Sequence, residues 1–371
     1  TVNLPSLLGV VSDFVINSSV IEKVSIPKVT TIGEDLYVTS DALLDLDANA
    51  VESIGSSLIV KGSVIQKESA TTEAIVFSAL KRVGNELTIQ YFPKLQGIYL
   101  PALESVAGTA SFTDMALIGS IAMTELYSAG GLTIKNCKEI STIELPGLTS
   151  CGEFSVDANK VNKFNISALR DAFGNMTLSN LLIEELDLSR INFNGNTLTL
   201  QCNRLNKIVG SETFNGNLLL LPKNCRLTEF TLEGILNMQG NFECKDYFYV
   251  KRFIMPFVNV AGDITIALNT GSVDTGAEIE FPKLQEIGGA LTLGKNITKI
   301  GSKAFYKAKN LSKITVNGNT IKSIGKNAFS GVKKNCKITV QAKDKKQYNK
   351  IVKLIKKAGA KKVKFAYKKK K

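Results

Sequence analysis

Ile300-Gly301-Ser302-Lys303-Ala304-Phe305 returns 24 residues on as Ile324-Gly325-Lys326-Asn327-Ala328-Phe329. A fixed step of this size marks a solenoid, in which each coil buries its apolar edge only against its neighbours. Upstream the phrase is looser but persistent: an apolar residue, often Pro next, then an apolar spacing that closes on Gly. Copies run from Ile26-Pro27 to Gly33, Leu100-Pro101 to Gly108, Leu145-Pro146 to Gly152, Met255-Pro256 to Gly262 and Phe281-Pro282 to Gly288. In Phe77-Ser78 to Gly84 the Pro is replaced. Pro cannot donate to a ladder, so a strand ends there. Gly is expected to permit the turn that follows.

Just after the Gly comes a short alternating strand, as in Leu87-Thr88-Ile89, Leu132-Thr133-Ile134, Phe154-Ser155-Val156, Ile264-Thr265-Ile266 and Leu291-Thr292-Leu293. Period-two alternation with β-branched residues reads as a half-buried strand. The outward Thr or Ser of each coil is expected to stack on that of the next. A second strand precedes the Pro, as in Ile98-Tyr99-Leu100 and Ile143-Glu144-Leu145. Two short strands per coil of about 20 to 25 residues predict a mainly β, right-handed solenoid with short helical turns. Between 169 and 236 the Gly and Pro markers drift, which reads as irregular coils rather than a break.

The regular end differs in texture. The Ala-Phe pair of each perfect copy is expected on a short helical turn facing the core. After Ile338-Thr339-Val340, Asp344 with Gln347 makes a capping box. Tyr348, Ile351, Val352 and Ile355 then fall on one face of a helix with lysines elsewhere. Gly359 is its C-cap, Val363, Phe365 and Tyr367 alternate as a last strand, and 368–371 is a frayed tail. The chain thus divides into an irregular solenoid over 1–295, regular repeats continuing it over 296–342, and a basic helix-strand end cap and tail over 343–371.

Charge follows this division. Residues 301–371 hold 23 lysines against one acid, Asp344, a charge of +22, whereas 1–300 carry 23 basic and 32 acidic groups, a charge of −9. Such a basic end suits an anionic polymer or surface, or serves as a solvated cap that keeps a solenoid terminus soluble. There is no histidine, which removes the commonest general base near neutral pH and the usual transition-metal ligand. No apolar run reaches the roughly 18 residues of a membrane-spanning segment. The chain begins at Thr1-Val2-Asn3-Leu4-Pro5, inside a repeat, as a processed secreted protein or a trimmed one would.

Ile-Gly-x-x-Ala-Phe, followed by Leu311-Ser312-Lys313-Ile314-Thr315-Val316, resembles the leucine-rich repeats of the BspA type. These occur in surface proteins of gut and oral bacteria and of some parasitic protists. The close resemblance covers about 296–342. Residues 1–295 resemble more the receptor L-domain variety of leucine-rich repeat. The resemblance implies secretion or display at a cell surface, and adhesion or binding of a host protein or glycan. It brings no catalytic motif and no cofactor, and because scaffold residues define the family, nothing about the partner transfers.

Six cysteines stand at 137, 151, 202, 225, 244 and 336, without a CxxC. Buried thiols are the leading reading, with disulfides or a four-thiolate metal site as alternatives. The spacings of Cys202, Cys225 and Cys244 suggest that they stack. Glu184-Glu185 and Asp45 with Asp47 are carboxylate pairs of the kind glycosidases use, but read better as solvated faces. Two binding candidates remain. Tyr247, Phe248, Tyr249, Lys251 and Arg252 form the most aromatic stretch and would make a recognition patch if exposed; otherwise alternate members fill the core. Lys333, Lys334, Lys337, Lys353, Lys356, Lys357, Lys361 and Lys362 would contact an anionic surface. With no Arg after Arg252, specific nucleic-acid reading is not expected. The reading is of a non-enzymatic surface or secreted interaction protein that binds through its sheet face. An anionic-polymer binder using the lysine-rich end is the alternative, and a carbohydrate-active enzyme a remote one.

Overall fold

A computed structural model of the chain describes residues 1–63, 73–221, 225–246, 248–268 and 277–370, with the side chains of Cys225, Arg226, Asp246, Phe248 and Tyr249 left out. Two compact units divide it, Thr1–Ile183 and Glu184–Lys371. Their boundary falls within the span where the markers drift. Each is a parallel β-solenoid, in which the chain advances one coil and lays each strand beside its counterpart.

In the first unit the alternating strands Phe14–Ser18, Leu36–Ser40 and Leu58–Lys61 pair in register. Leu87–Gln90, Ser105–Thr113, Ser128–Lys135, Ser150–Asp157 and Met176–Ser179 continue the sheet. Phe14, Leu36, Leu58, Leu87, Ala110, Leu132, Phe154 and Met176 therefore form one column and all are buried. Burial of each large member contributes about 1.5–3 kcal/mol. On the outer side Thr88, Ser111, Thr133, Ser155 and Thr177 stand in register, the expected polar ladder.

The Pro phrase closes each corner. Val29, Leu103 and Leu148 N–H groups donate to Ile26, Leu100 and Leu145 carbonyls at 3.2, 3.1 and 3.2 Å. Pro27, Pro101 and Pro146 thus take the second position of a β-turn, where their fixed φ is already right.

The phrase-ending Gly has a different reason from the one the sequence suggests. None of Gly33, Gly55 and Gly84 has a positive φ. A Cβ on any of them would lie 1.9 Å from a carbonyl oxygen of the coil before, that of Val11, Gly33 and Gly55 respectively. Close stacking of backbone on backbone, not turn freedom, demands glycine here.

In the second unit the corresponding sheet runs through Thr197–Gln201, Asn217–Leu220, Phe242–Asp246, Ile264–Leu268, Ala290–Leu293, Lys313–Asn317, Lys337–Ala342 and Lys364–Lys369. A second sheet holds Glu185–Leu188, Lys207–Gly210, Cys225–Glu233, Phe248–Ile254, Ala277–Glu280, Ile297–Ile300 and Ser323–Ile324. A third and shorter one joins Thr213–Phe214, Asn237–Met238, Asn259–Val260 and Glu286–Ile287. The Ala-Phe pairs face inward as expected: Ala304, Phe305, Ala328 and Phe329 are buried. Phe281, Phe305 and Phe329 stack with ring centroids 5.5 and 5.3 Å apart. The Phe-Pro phrase and the Ala-Phe phrase thereby feed one column.

The final coil returns through the helix Lys345–Lys357. Asp344 caps it, accepting from the Gln347 N–H at 2.7 Å. The capping box is half made, because the Gln347 side chain donates instead to the Gly318 carbonyl at 2.5 Å. Ile351 and Ile355 are buried. Gly359, at φ 97°, completes a Schellman close: its N–H donates to Lys356 and that of Ala360 to Ile355. Of the tail expected to fray, residues 368–370 are held, while Lys371 lies outside the described residues. Lys364–Lys369 pairs with Lys337–Ala342, and the Lys370 N–H still donates to Ala342 at 3.0 Å. The exposed lysines 364, 368 and 369 keep this edge in water and discourage further pairing.

Candidate functional site

Outward residues of the third sheet build a groove in the second unit. Phe214, Met238, Val260 and Ile287 point into the core, which leaves Thr213, Asn237, Asn259 and Glu286 facing out in register. Asn259 Nδ2 donates to Asn237 Oδ1 at 2.7 Å, and Asn310 Nδ2 to Glu286 Oε1 at 2.8 Å. With Gln239, these line a polar depression of about 310 Å³. Each amide retains donor or acceptor capacity beyond its one bond.

Glu286 also lines a second and larger cavity, of about 640 Å³. Lys283, Lys303, Lys307 and Lys309 surround it, with Tyr306 among them. The ammonium groups of Lys303 and Lys307 lie 5.9 and 5.2 Å from the Tyr306 ring centroid, within cation–π range. All four lysines are exposed, and among the described residues none forms an ion pair.

The turn that presents Lys303, Tyr306 and Lys307 starts in the opening phrase. Burying Ala304 and Phe305 forces Lys303, Tyr306 and Lys307 outward, and the Tyr306 N–H closes the turn on the Lys303 carbonyl at 3.0 Å. Lys303 and Lys307 adopt left-handed φ values of 57° and 61°. The second copy has Asn327 and Gly331 at the matching places, with φ 59° and 81°. Asn and Gly enter this region readily, whereas a lysine meets a steric penalty there of about 1 kcal/mol. The first copy carries two strained lysines where the second has relaxed residues.

The aromatic stretch lands on the second sheet. Tyr247 lies outside the described residues, and Phe248 and Tyr249 are described only as backbone of the strand Phe248–Ile254. Lys251 and Arg252 face outward between buried Val250 and Phe253. Arg252 holds Glu280 through Nε at 2.6 Å and Nη2 at 3.2 Å, and Glu229 through Nη1 at 2.9 Å. Glu280, then Glu229, raises the guanidinium pKa further. On neighbouring coils Lys299 pairs with Glu278 at 2.7 Å, and Lys207 with Glu185 and Glu233 at 3.3 and 3.2 Å. This face is an alternating charge ladder, and Arg252 is one of its rungs.

Lys333, Lys334, Lys337, Lys353, Lys356, Lys357, Lys361 and Lys362 are all exposed around the final coil. Lys356 sits 5.7 Å over the Phe365 ring. Of the carboxylate pairs, Asp45 approaches Lys23 at 3.8 Å and Asp47 accepts from Ser25 at 3.1 Å. Glu185 belongs to the ladder already described. Cys137, Cys151, Cys202, Cys244 and Cys336 are buried free thiols. Burial pushes Cys137 and Cys151 up to about 12 and Cys336 to about 11, which keeps them protonated and unreactive. The expected cysteine stack does not form. Cys244 shares its register with Leu220, Cys202 follows the end of the strand Thr197–Gln201, and Cys225 pairs with Phe248 in the second sheet. No described helix is long and apolar enough to cross a membrane.

Comparison with known proteins agrees with the regular end. Residues 281–353 match the BspA type leucine rich repeat region in six copies. A crystal structure of a leucine-rich repeat protein from Bacteroides ovatus is similar over 93% of this chain and 92% of its own, at 15% identity and a TM-score of 0.27. No curated protein matches the chain. The lysine-lined cavity falls inside the matched stretch for all but its Val258 wall.

Proposed function

We propose that the chain is a non-enzymatic interaction protein, displayed at a cell surface or secreted, that binds a host protein or glycan through a solenoid sheet face. BspA-type repeats suggest a binding role, and one observation carries the choice of face. In the first unit Thr88, Ser111, Thr133, Ser155 and Thr177 form a registered outward column, flanked by Gln90, Thr113, Lys135 and Asp157. Short hydroxyl side chains lose little rotamer freedom on being covered and offer both donors and acceptors. Such a row suits an extended partner. Thr133→Arg with Ser155→Arg should abolish binding to whichever matrix proteins or glycans the protein captures on a broad array, while its circular dichroism stays unchanged. An array without ligands, or capture indifferent to both arginines, would sink this reading. Protease shaving of intact cells that express the protein tests the compartment; full protection would refute display.

A second reading rests on the eight exposed lysines around the final coil, none of which forms an ion pair among the described residues, and which would hold the protein on an anionic envelope polymer. Lys353→Gln, Lys356→Gln and Lys357→Gln together keep the helix, since glutamine is a good helix former. The triple variant should elute from anionic cell-wall polymer at lower salt than the parent; identical elution would overturn it.

A further inference from the structure

We propose that the cavity beside Tyr306 is a binding site for an acidic saccharide chain, with a carboxylated or sulfated sugar among the lysines and neutral sugars along the adjoining amide row. It stands apart from the sheet face, and either proposal can fail without the other.

Four lysines line one hollow of about 640 Å³, a usual size for a ligand pocket. The one carboxylate there, Glu286, accepts a hydrogen bond from Asn310. Four lysines against one carboxylate leave the site with an excess of positive charge, which draws an anion. Lys303 and Lys307 reach it from left-handed backbone that the second repeat relieves with Asn327 and Gly331. Strain retained in a functional position is a recurrent property of binding sites. The cation–π contacts to Tyr306 hold two ammonium groups in place before any ligand arrives.

The neighbouring groove decides the class. It shares Glu286 with the cavity and presents Asn237, Gln239, Asn259 and Asn310, which suit hydroxyl groups. Val258, Pro282 and Tyr306 give the cavity an apolar wall, but its charged lining is four lysines and one glutamate, which a peptide's apolar anchor would not use. A nucleic acid would favour arginine forks and free aromatic platforms. The cavity has no arginine, and two lysines already occupy its tyrosine.

The test is titration calorimetry of the whole chain with oligogalacturonate, heparin oligosaccharide, neutral malto-oligosaccharide and single-stranded oligothymidylate. The key variant copies the second repeat: Lys303→Asn, Tyr306→Ser and Lys307→Gly. One or both acidic saccharides should bind the parent, and the copy should bind them about tenfold or more weakly. Stronger galacturonate binding would identify the anion as carboxylate; stronger heparin binding would identify it as sulfate. A control variant outside both lysine clusters, Lys23→Gln, Lys81→Gln and Lys160→Gln, should bind like the parent. The proposal is overturned if neither acid binds, if the copy binds as well as the parent, if this control variant loses as much, or if oligothymidylate binds as tightly.

Discussion

The coils from Ile26 to Lys61 and those from Phe281 to Val340 share one way of stacking, backbone on glycine, and differ in what is added to it. In the early coils the contact is main chain on main chain, Gly55 over Gly33 and Gly84 over Gly55. A side-chain rail runs beside it, with Asp13 accepting from the Asp35 N–H at 2.9 Å and Asp35 from the Ser57 N–H at 2.8 Å. The late coils keep the backbone contact at Gly288 and Gly325 and add aromatic rings that stack through the interior, Phe281 on Phe305 on Phe329. Backbone stacking requires the absence of a side chain, and ring stacking requires its full volume. The same architecture is therefore fragile to enlargement at one place and to truncation at another.

Phe305→Ala should break the late coils hardest. Both ring contacts vanish and a cavity remains, at a cost of about 3–5 kcal/mol. Hydrogen exchange should show loss of protection centred on Lys313–Asn317 and Lys337–Ala342. If protection there survives, the ring column is not what joins these coils. Gly55→Ala is the matching insult to the early coils. The added methyl must displace the Gly33 carbonyl, and overpacking of this kind costs about 1–3 kcal/mol. Phe305→Leu, which keeps most of the volume, should cost less than Phe305→Ala, whereas no residue larger than glycine should be tolerated at 55. Urea unfolding of the three variants would measure this asymmetry.

Asp35→Ala removes one rail bond, worth about 1 kcal/mol. The rail is also sensitive to acid. The Ser56 hydroxyl and then the Ser57 N–H hold the Asp35 carboxyl below its usual range. A folded-state pKa below the unfolded one contributes stability at pH above the ordinary carboxylate value of about 3.9. That contribution is lost as pH falls through the depressed folded value. The parent should thus lose more stability between neutral pH and pH of about 3 than Asp35→Asn does. Equal losses would show that the charge contributes nothing.

The smallest effect has the opposite sign. Lys303→Asn with Lys307→Gly relieves two left-handed lysines and should stabilise the late coils by about 1 kcal/mol. A rise in melting temperature would sharpen the contrast between the two copies of the phrase. A fall would show that the lysines' cation–π contacts outweigh the strain.

Much of this was legible along the chain. The alternation around Thr88, Thr133 and Thr292 placed the polar column, because in a strand adjacent side chains must take opposite faces. Asp344, Ile351, Ile355 and Gly359 marked the helix through spacing and capping. The phrase-ending glycines were visible but their reason was not, since close approach involves a coil 22 or 29 residues away. Arg252 looked available for recognition, and its partners Glu229 and Glu280 lie 23 and 28 residues off. The signal for the cavity was present in the replacement of Lys303 and Lys307 by Asn327 and Gly331, but it acquires meaning only with the backbone angles.

By itself the amino-acid sequence determined that this protein is a coiled stack of short strands with a helical, lysine-rich close. Those features follow from local periodicity, capping and turn chemistry. Which outward residues meet was decided by the tertiary structure. Coils of the second unit advance by 22, 27, 23 and 24 residues between Phe242, Ile264, Leu291, Ile314 and Ile338. Because the step varies, loop length sets the lateral register of every exposed side chain. Lys283 thus joins Lys303 and Lys307 at one hollow through the stacking of coils, which no count along the chain prescribes.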